Sequence, residues 1–269
     1  MPSLRLASLS LLALLPLSSA ASKRGWNSWD NTDSIDPSGN SNETRTLRVA
    51  AYMHDNLLPH GYTLLTVDEG WYWYGSMQST NASLDANGRP YPRADEYPSA
   101  AGGAGFGPLA AQLSALGLDM GVWTIRGIPR AAAAARLPIA DSPYTCDMAV
   151  DLAKPNTCNW NGYTYGCAVN STSGLCVDAA VAYYESVAAL YSSWGIKFVK
   201  GDCFWGGQFQ GQYDADVIAF TEAFRARGIQ ISLSPGGHVS PQNLTFLTEN
   251  KLAVQTRVTD GACAVRCPM

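Results

Sequence analysis

The chain has 269 residues, 46% of them hydrophobic, and a formal net charge of −4 at pH 7. That length and apolar content suit one large globular domain, or at most two. The mild acidity, with no Lys/Arg run beyond the first few residues, argues against a nucleic-acid-binding surface.

The first residues, MPSLRLASLSLLALLPLSSAAS, combine a basic start, an apolar run and a small-residue end. They read as a secretory signal peptide over residues 1–21, cut near Ala20 or Ala21, which makes the mature protein extracellular. No later stretch is apolar for long enough to cross a bilayer, so no membrane association is expected after cleavage. Four glycosylation sequons, at Asn42, Asn81, Asn170 and Asn243, agree with export. In an oxidising compartment the seven cysteines read as disulfide formers. Cys146, Cys158, Cys167 and Cys176 fall in one loop-like stretch without a CxxC pair or nearby histidine, so disulfides are expected there and no metal. Three pairings are open, and the expected one joins Cys158 to Cys167 across a short Trp/Tyr/Gly loop; the state of Cys203 is left open.

In chain order, RGWNSWD (24–30) is a short strand ending in polar residues. Residues 42–61 carry apolar positions at helical spacing and stop at Gly61. YTLLTVDEGW (62–71) is a continuous apolar run closing on acids, as in a strand buried on both faces. A Gly/Pro/Asn-rich loop follows to about residue 107, then a helix (107–117) and a strand (118–127). Residues 128–176 form a long cysteine-bearing insertion. An amphipathic helix (177–195) leads to the strand IKFVKGD, a further helix (213–228) to IQISLSPGG (229–237), and a weaker helix (241–250) to LAVQTRVTD (252–260). Strand and helix alternate about six times, which implies a parallel sheet. No GxGxxG follows the first strand, so a dinucleotide-binding fold has no support, and no GxSxG marks a serine hydrolase. Polar residues follow nearly every strand (WNSWD, DEGW, TIRG, KGDC, SPGG, RVTD). A barrel collects side chains from all its strand ends, whereas an open doubly wound sheet uses one switch point. The expected fold is an α/β (β/α)8 TIM barrel of which about six units are present.

Within IKFVKGDC, Lys200 and Asp202 are two residues apart and share a strand face. GWNSWD, DEGWY and FVKGD, in this order and separated by strand–helix units, resemble glycoside hydrolase family 27 over residues 24–260, and RGIPR (126–130) with SLSPGG (232–237) resembles a divergent branch of it. The resemblance implies a retaining α-galactosidase acting on terminal α-D-galactosides of an oligosaccharide or polysaccharide, with no cofactor and no metal. α-N-acetylgalactosaminidase, β-L-arabinopyranosidase or an inactive carbohydrate-binding form are the alternatives. Asp202 takes the nucleophile's place and Lys200 that of a lysine that bonds sugar hydroxyls and favours an ionised Asp202. Trp26 stands for a tryptophan walling the sugar, Asp68 and Glu69 for two acids on its O4 and O6 hydroxyls, and Arg257 for an arginine on its O2 side. Glu69 is one methylene longer than the family's usual aspartate. Where the family often has an acid after the fifth strand, this chain has SPGG. The acid/base normally falls at Gly261, leaving Asp260, one residue early, as the candidate. The domain is expected to span 22–260, with GACAVRCPM (261–269) as an aberrant tail of the kind a frameshift leaves, and the chain as written to fold poorly for want of two barrel units.

Overall fold

The strands are β1 (Arg24–Asn27), β2 (Tyr62–Val67), β3 (Asp119–Ile125), β4 (Ile128–Pro129), β5 (Thr164–Tyr165), β6 (Phe198–Asp202), β7 (Gln230–Ser234) and β8 (Gln255–Thr256). The computed structural model describes residues 23–29, 42–72, 81–153, 162–204, 213–234, 241–250, 252 and 255–256. Six strands form one sheet in the order β1-β2-β3-β6-β7-β8, every neighbouring pair parallel. The order never reverses, so there is no switch point, and each unit adds to the same side as a barrel wall does. The fold is a partial (β/α) barrel; among the described residues β1 and β8 are its edges.

The helices are α1 (Glu43–Asn56), α2 (Gly107–Ala115), α3 (Arg130–Ala134), α4 (Asp178–Ser193), α5 (Asp214–Ala226) and α6 (Pro241–Asn250). At the start of α1, the Asn42 side chain accepts a hydrogen bond from Arg45 N at 2.9 Å, satisfying an otherwise orphan amide. The segment expected as one helix to Gly61 breaks into α1 and a 3₁₀ turn (Leu58–His60), because Pro59 lacks the amide that would continue the ladder. Of the four sequons, Asn243 lies inside α6 and is buried, so only the other three offer an asparagine to the surface.

Along the strands, Leu65, Val67, Val122, Val199 and Leu233 are fully buried, matching the expectation of strands covered on both faces. A cluster of buried aromatic rings, Trp71, Tyr72, Tyr97, Phe106, Tyr191 and Trp194, packs in mostly edge-to-face contacts, with Tyr191 stacked on Trp194. The glycine inside KGD has a packing cause. A Cβ on Gly201 would lie 2.7 Å from Phe204 and 2.8 Å from Phe220 of α5, so the helix approaches β6 more closely than any side chain allows.

The insertion after β3 folds as its own layer. β4 and β5 pair antiparallel, and isolated bridges join Val150 to Cys167 and Val169 to Cys176. A turn over Asn170–Gly174 closes this hairpin and brings Cys167 and Cys176 into a disulfide, Cα to Cα 5.7 Å. This corrects the expected Cys158–Cys167 pairing: the hairpin register chooses Cys176 as the partner of Cys167. Cys146, expected to be oxidised, is a buried free thiol beside the Asn87 carbonyl, and Cys203 is disulfide-bonded. Cys158 and the tail cysteines lie outside the described residues, as do residues 1–22.

Two outcomes follow from this packing. Gly201→Ala should overpack the α5–β6 contact and lower unfolding free energy by about 1–3 kcal/mol, read by urea titration. Burial pushes the Cys146 thiol up to about 12, with Asp147 and Asp85 adding to the rise. At pH 8 the native protein should therefore leave Cys146 unalkylated by iodoacetamide, and unfolding in denaturant should expose it to rapid labelling.

Candidate active site

Register builds the site. Side chains of register partners in a parallel sheet leave the same face. Val67 pairs with Val122, so Asp68, the next residue, stands beside Trp123; Trp123 pairs with Lys200, and Lys200 with Ser232. Two residues further along, Ile125, Asp202 and Ser234 form the next level. These levels sit at the carboxyl ends of the strands, where barrel enzymes carry their chemistry.

At the lower level Lys200 Nζ donates to Asp68 Oδ2 at 2.7 Å, and Asp68 is fully buried. The other oxygen, Oδ1, accepts from Glu69 N at 2.9 Å. At the upper level Asp202 accepts from the Trp123 indole Nε1 through Oδ2 (3.0 Å) and from Cys203 N through Oδ1 (2.7 Å). Both carboxylates thus have each oxygen held by a donor. The ion pair of Lys200 runs to Asp68 and not to Asp202, so the expected Lys200–Asp202 partnership is replaced by two neutral donors on the nucleophile candidate. Cys203 has φ of +65°, a left-handed conformation uncommon outside glycine, and this turn goes with its amide reaching back to the Asp202 carboxylate.

GWNSW can be read residue by residue. A Cβ on Gly25 would meet the Leu64 carbonyl at 2.2 Å, so only glycine lets β1 lie this close to β2. Asn27 Oδ1 accepts from Trp29 N at 2.8 Å and turns the chain. Ser28 then clamps β1 to the site: its N donates to the Thr66 carbonyl (3.1 Å), and its Oγ accepts from Asp68 N (2.8 Å). Trp29 finishes with its ring centroid 5.6 Å from Lys200 Nζ, a cation–π contact. Trp26 pairs with Leu65, on the strand face opposite to Thr66 and Asp68, and packs against the core.

Asp68, Glu69, Lys200 and Asp202 are therefore gathered on one rim, with Glu69 buried behind Asp68 in sequence. Arg257 and Asp260 lie outside the described residues. Sequence reading missed Trp123, whose signal was its place in the third strand immediately before TIRG, and did not single out Trp29 for the site. Cys167, Cys176 and Asp216 bring three potential metal donors within 4.8 Å, but the two sulfurs are joined to each other and offer no thiolate.

The fold is a partial (β/α) barrel whose strand ends gather carboxylates, a lysine and indoles. No protein-family model matches the chain, and no curated protein does. Among solved structures it is similar to a GH27 β-L-arabinopyranosidase from Geobacillus stearothermophilus, with 31% identity over 88% of this chain and 53% of that one and a TM-score of 0.77. A Bacillus halodurans protein provisionally described as an α-N-acetylgalactosaminidase shows 30% identity over 82% and 51% of the two chains, with a TM-score of 0.70. An α-galactosidase from Saccharomyces cerevisiae shares the fold alone, at 17% identity over 87% and 39% and a TM-score of 0.51. In motifs and in structural neighbours the protein is a divergent relative of glycoside hydrolase family 27. It spans about half the length of the neighbours it matches.

The buried ion pair predicts an asymmetry. Lys200→Met should cost about 3–5 kcal/mol in urea unfolding, because it leaves Asp68 charged and unpaired, while Lys200→Met with Asp68→Asn should cost clearly less.

Proposed function

We propose that the chain is a retaining glycoside hydrolase acting on terminal α-D-galactosides, with Asp202 as the nucleophile. The observation that carries this reading is the double hydrogen bonding of Asp202 at the strand end, one level above the Lys200–Asp68 pair. Trp123 and the Cys203 amide fix both carboxylate oxygens, so the group is oriented before a sugar arrives. Lys200 has ammonium donors beyond the one given to Asp68, and together they supply a donor and an acceptor to adjacent sugar hydroxyls. Trp29, lying against Lys200, offers an indole face to the apolar side of the ring, in place of the Trp26 suggested by the motif.

In the reaction Asp202 attacks the anomeric carbon as the bond to the leaving oxygen breaks, and a second carboxylic acid gives that oxygen its proton. Water, deprotonated by the same group, then attacks the glycosyl–Asp202 ester and releases the sugar with its configuration retained. Asp260 is our choice for that second group, and Arg257 for a contact on the O2 side. Secretion, through cleavage of residues 1–21, supplies an extracellular substrate.

A second reading, β-L-arabinopyranoside cleavage, is favoured by the likeness to the Geobacillus enzyme. That sugar has the galacto ring stereochemistry without the C6 carbon, and Glu69 stands where the resemblance places an aspartate on the O6 side. A panel of aryl α-galactoside, α-N-acetylgalactosaminide and β-L-arabinopyranoside separates the two by kcat/KM.

A slow-reacting fluorinated galactoside should leave a glycosyl adduct on the peptide carrying Asp202, and Asp202→Asn should abolish turnover with the protein still folded. An adduct on another carboxylate would overturn the assignment. Sugar binding without any adduct or turnover would favour an inactive carbohydrate-binding protein.

A further inference from the structure

Behind Asp202, on the far side of the sheet, sits a buried charge that the reaction does not use. Arg126 follows Ile125, the register partner of Asp202, so its side chain leaves the opposite face, toward α4 and α5. It has no exposure to solvent. Its backbone N donates to the Asp202 carbonyl at 3.1 Å, and its Nε donates to the Cys203 carbonyl at 2.9 Å. One residue thereby grips the peptides on both sides of Cys203. The first of those peptides carries the N–H that holds Asp202 Oδ1.

The guanidinium is itself held. It lies 3.4 Å from the ring centroid of Tyr213, and its NH1 is 3.5 Å from Asp216 Oδ2. Asp216, also buried, accepts from Tyr184 OH at 2.6 Å and from Cys167 N at 3.1 and 3.2 Å. Tyr184 OH in turn accepts from Gly127 N at 3.0 Å. Gly127 has φ of +95°, and a Cβ there would lie 2.2 Å from the Tyr165 carbonyl, so RG in RGIPR is a pair: the glycine permits the turn and the arginine uses it. The network joins α4, α5 and the disulfide-closed hairpin to the left-handed turn that aims the carboxylate. Hydrophobic side chains would fill this space without the cost of burying two charges. What they lack is a forked donor that reaches a carbonyl and a carboxylate together.

We propose that Arg126, anchored by Asp216, is a positioning residue that sets the orientation of the Asp202 carboxylate from behind the barrel wall. The proposal rests on the reading of Asp202 as nucleophile. Arg126→Lys separates positioning from mere support, since lysine keeps a charge for Asp216 but has no second nitrogen for the Cys203 carbonyl. The doubly neutral Arg126→Met/Asp216→Asn variant removes both charges together. Both variants are expected to melt cooperatively, with kcat lowered about 10- to 100-fold and KM within about twofold, as misplacement of a reacting group by about 1 Å produces. In ¹⁵N-tryptophan-labelled protein the Trp123 indole N–H, which donates to Asp202, is expected to shift and exchange faster with solvent in both. A folded Arg126→Lys protein with kcat within twofold of the parent, or with an unmoved Trp123 resonance, overturns the proposal. If the parent turns over no glycoside, the reading of function fails, and the Trp123 resonance still decides whether Arg126 orients Asp202.

Discussion

A carboxylate without solvent must be paired, and Asp68, at the end of β2, is paired with Lys200 of β6 across the intervening strand β3. An isolated buried charge costs several kcal/mol, so this pair holds only if β2, β3 and β6 keep their register to within one residue. A slip of one position would turn Lys200 to the helical face and leave Asp68 alone. The ion pair therefore acts as a register lock, and the features above it inherit that register: Trp123 under Asp202, Ile125 beside it, Ser234 on its other flank. Ser28 extends the lock to β1, through its bonds to Thr66 and Asp68.

Orientation of Asp202 is then a matter of the chain leaving β6. Strand geometry alone would carry Cys203 onward to the opposite face. The left-handed turn at Cys203 instead sends its amide back to the carboxylate, and the same amide also reaches the Ser234 carbonyl at 2.9 Å. A non-glycine residue in that conformation is held by its surroundings. Here these are the Arg126 donors, the edge-to-face Phe204–Phe220 contact that requires Gly201, and the disulfide at Cys203 itself.

The sequence shows the barrel-like order plainly, because each strand is a short apolar run and each helix has an apolar stripe. Boundaries shrink by one to four residues where runs continue into site loops: 62–71 gives a strand only to Val67, since the Asp68 amide leaves the ladder for Ser28 Oγ. The last expected strand, 252–260, has only Gln255–Thr256 as described strand. The rim was legible at Asp68, Lys200 and Asp202, where polar residues interrupt apolar runs. Trp123 was hidden, because an indole inside an apolar strand looks like core until its N–H is seen to have a carboxylate partner. Trp26, the register partner of Leu65, lies on the core side, and the Asn27 turn that follows it carries Trp29 to the Lys200 ammonium. The cysteine pairing was out of reach, because it depends on a hairpin register set by backbone bonds that no spacing encodes.

The hydrogen bonds also constrain which carboxylate can serve as the proton donor. Asp68 accepts from the Lys200 ammonium at one oxygen and from the Glu69 amide at the other, so it is already committed to a neighbouring cation. In the reaction proposed above, Asp68 is assigned to accept from sugar hydroxyls. A retaining mechanism needs its second carboxyl about 5–5.5 Å from the nucleophile. In the sheet order, Asp68 lies on the β2 side of Asp202, and β7 and β8 lie on the other. A sugar seated between Asp68 and Asp202 would turn its leaving group away from Asp68. The acid that meets that leaving oxygen should then be delivered from the β7–β8 side, which is where Asp260 follows in the chain.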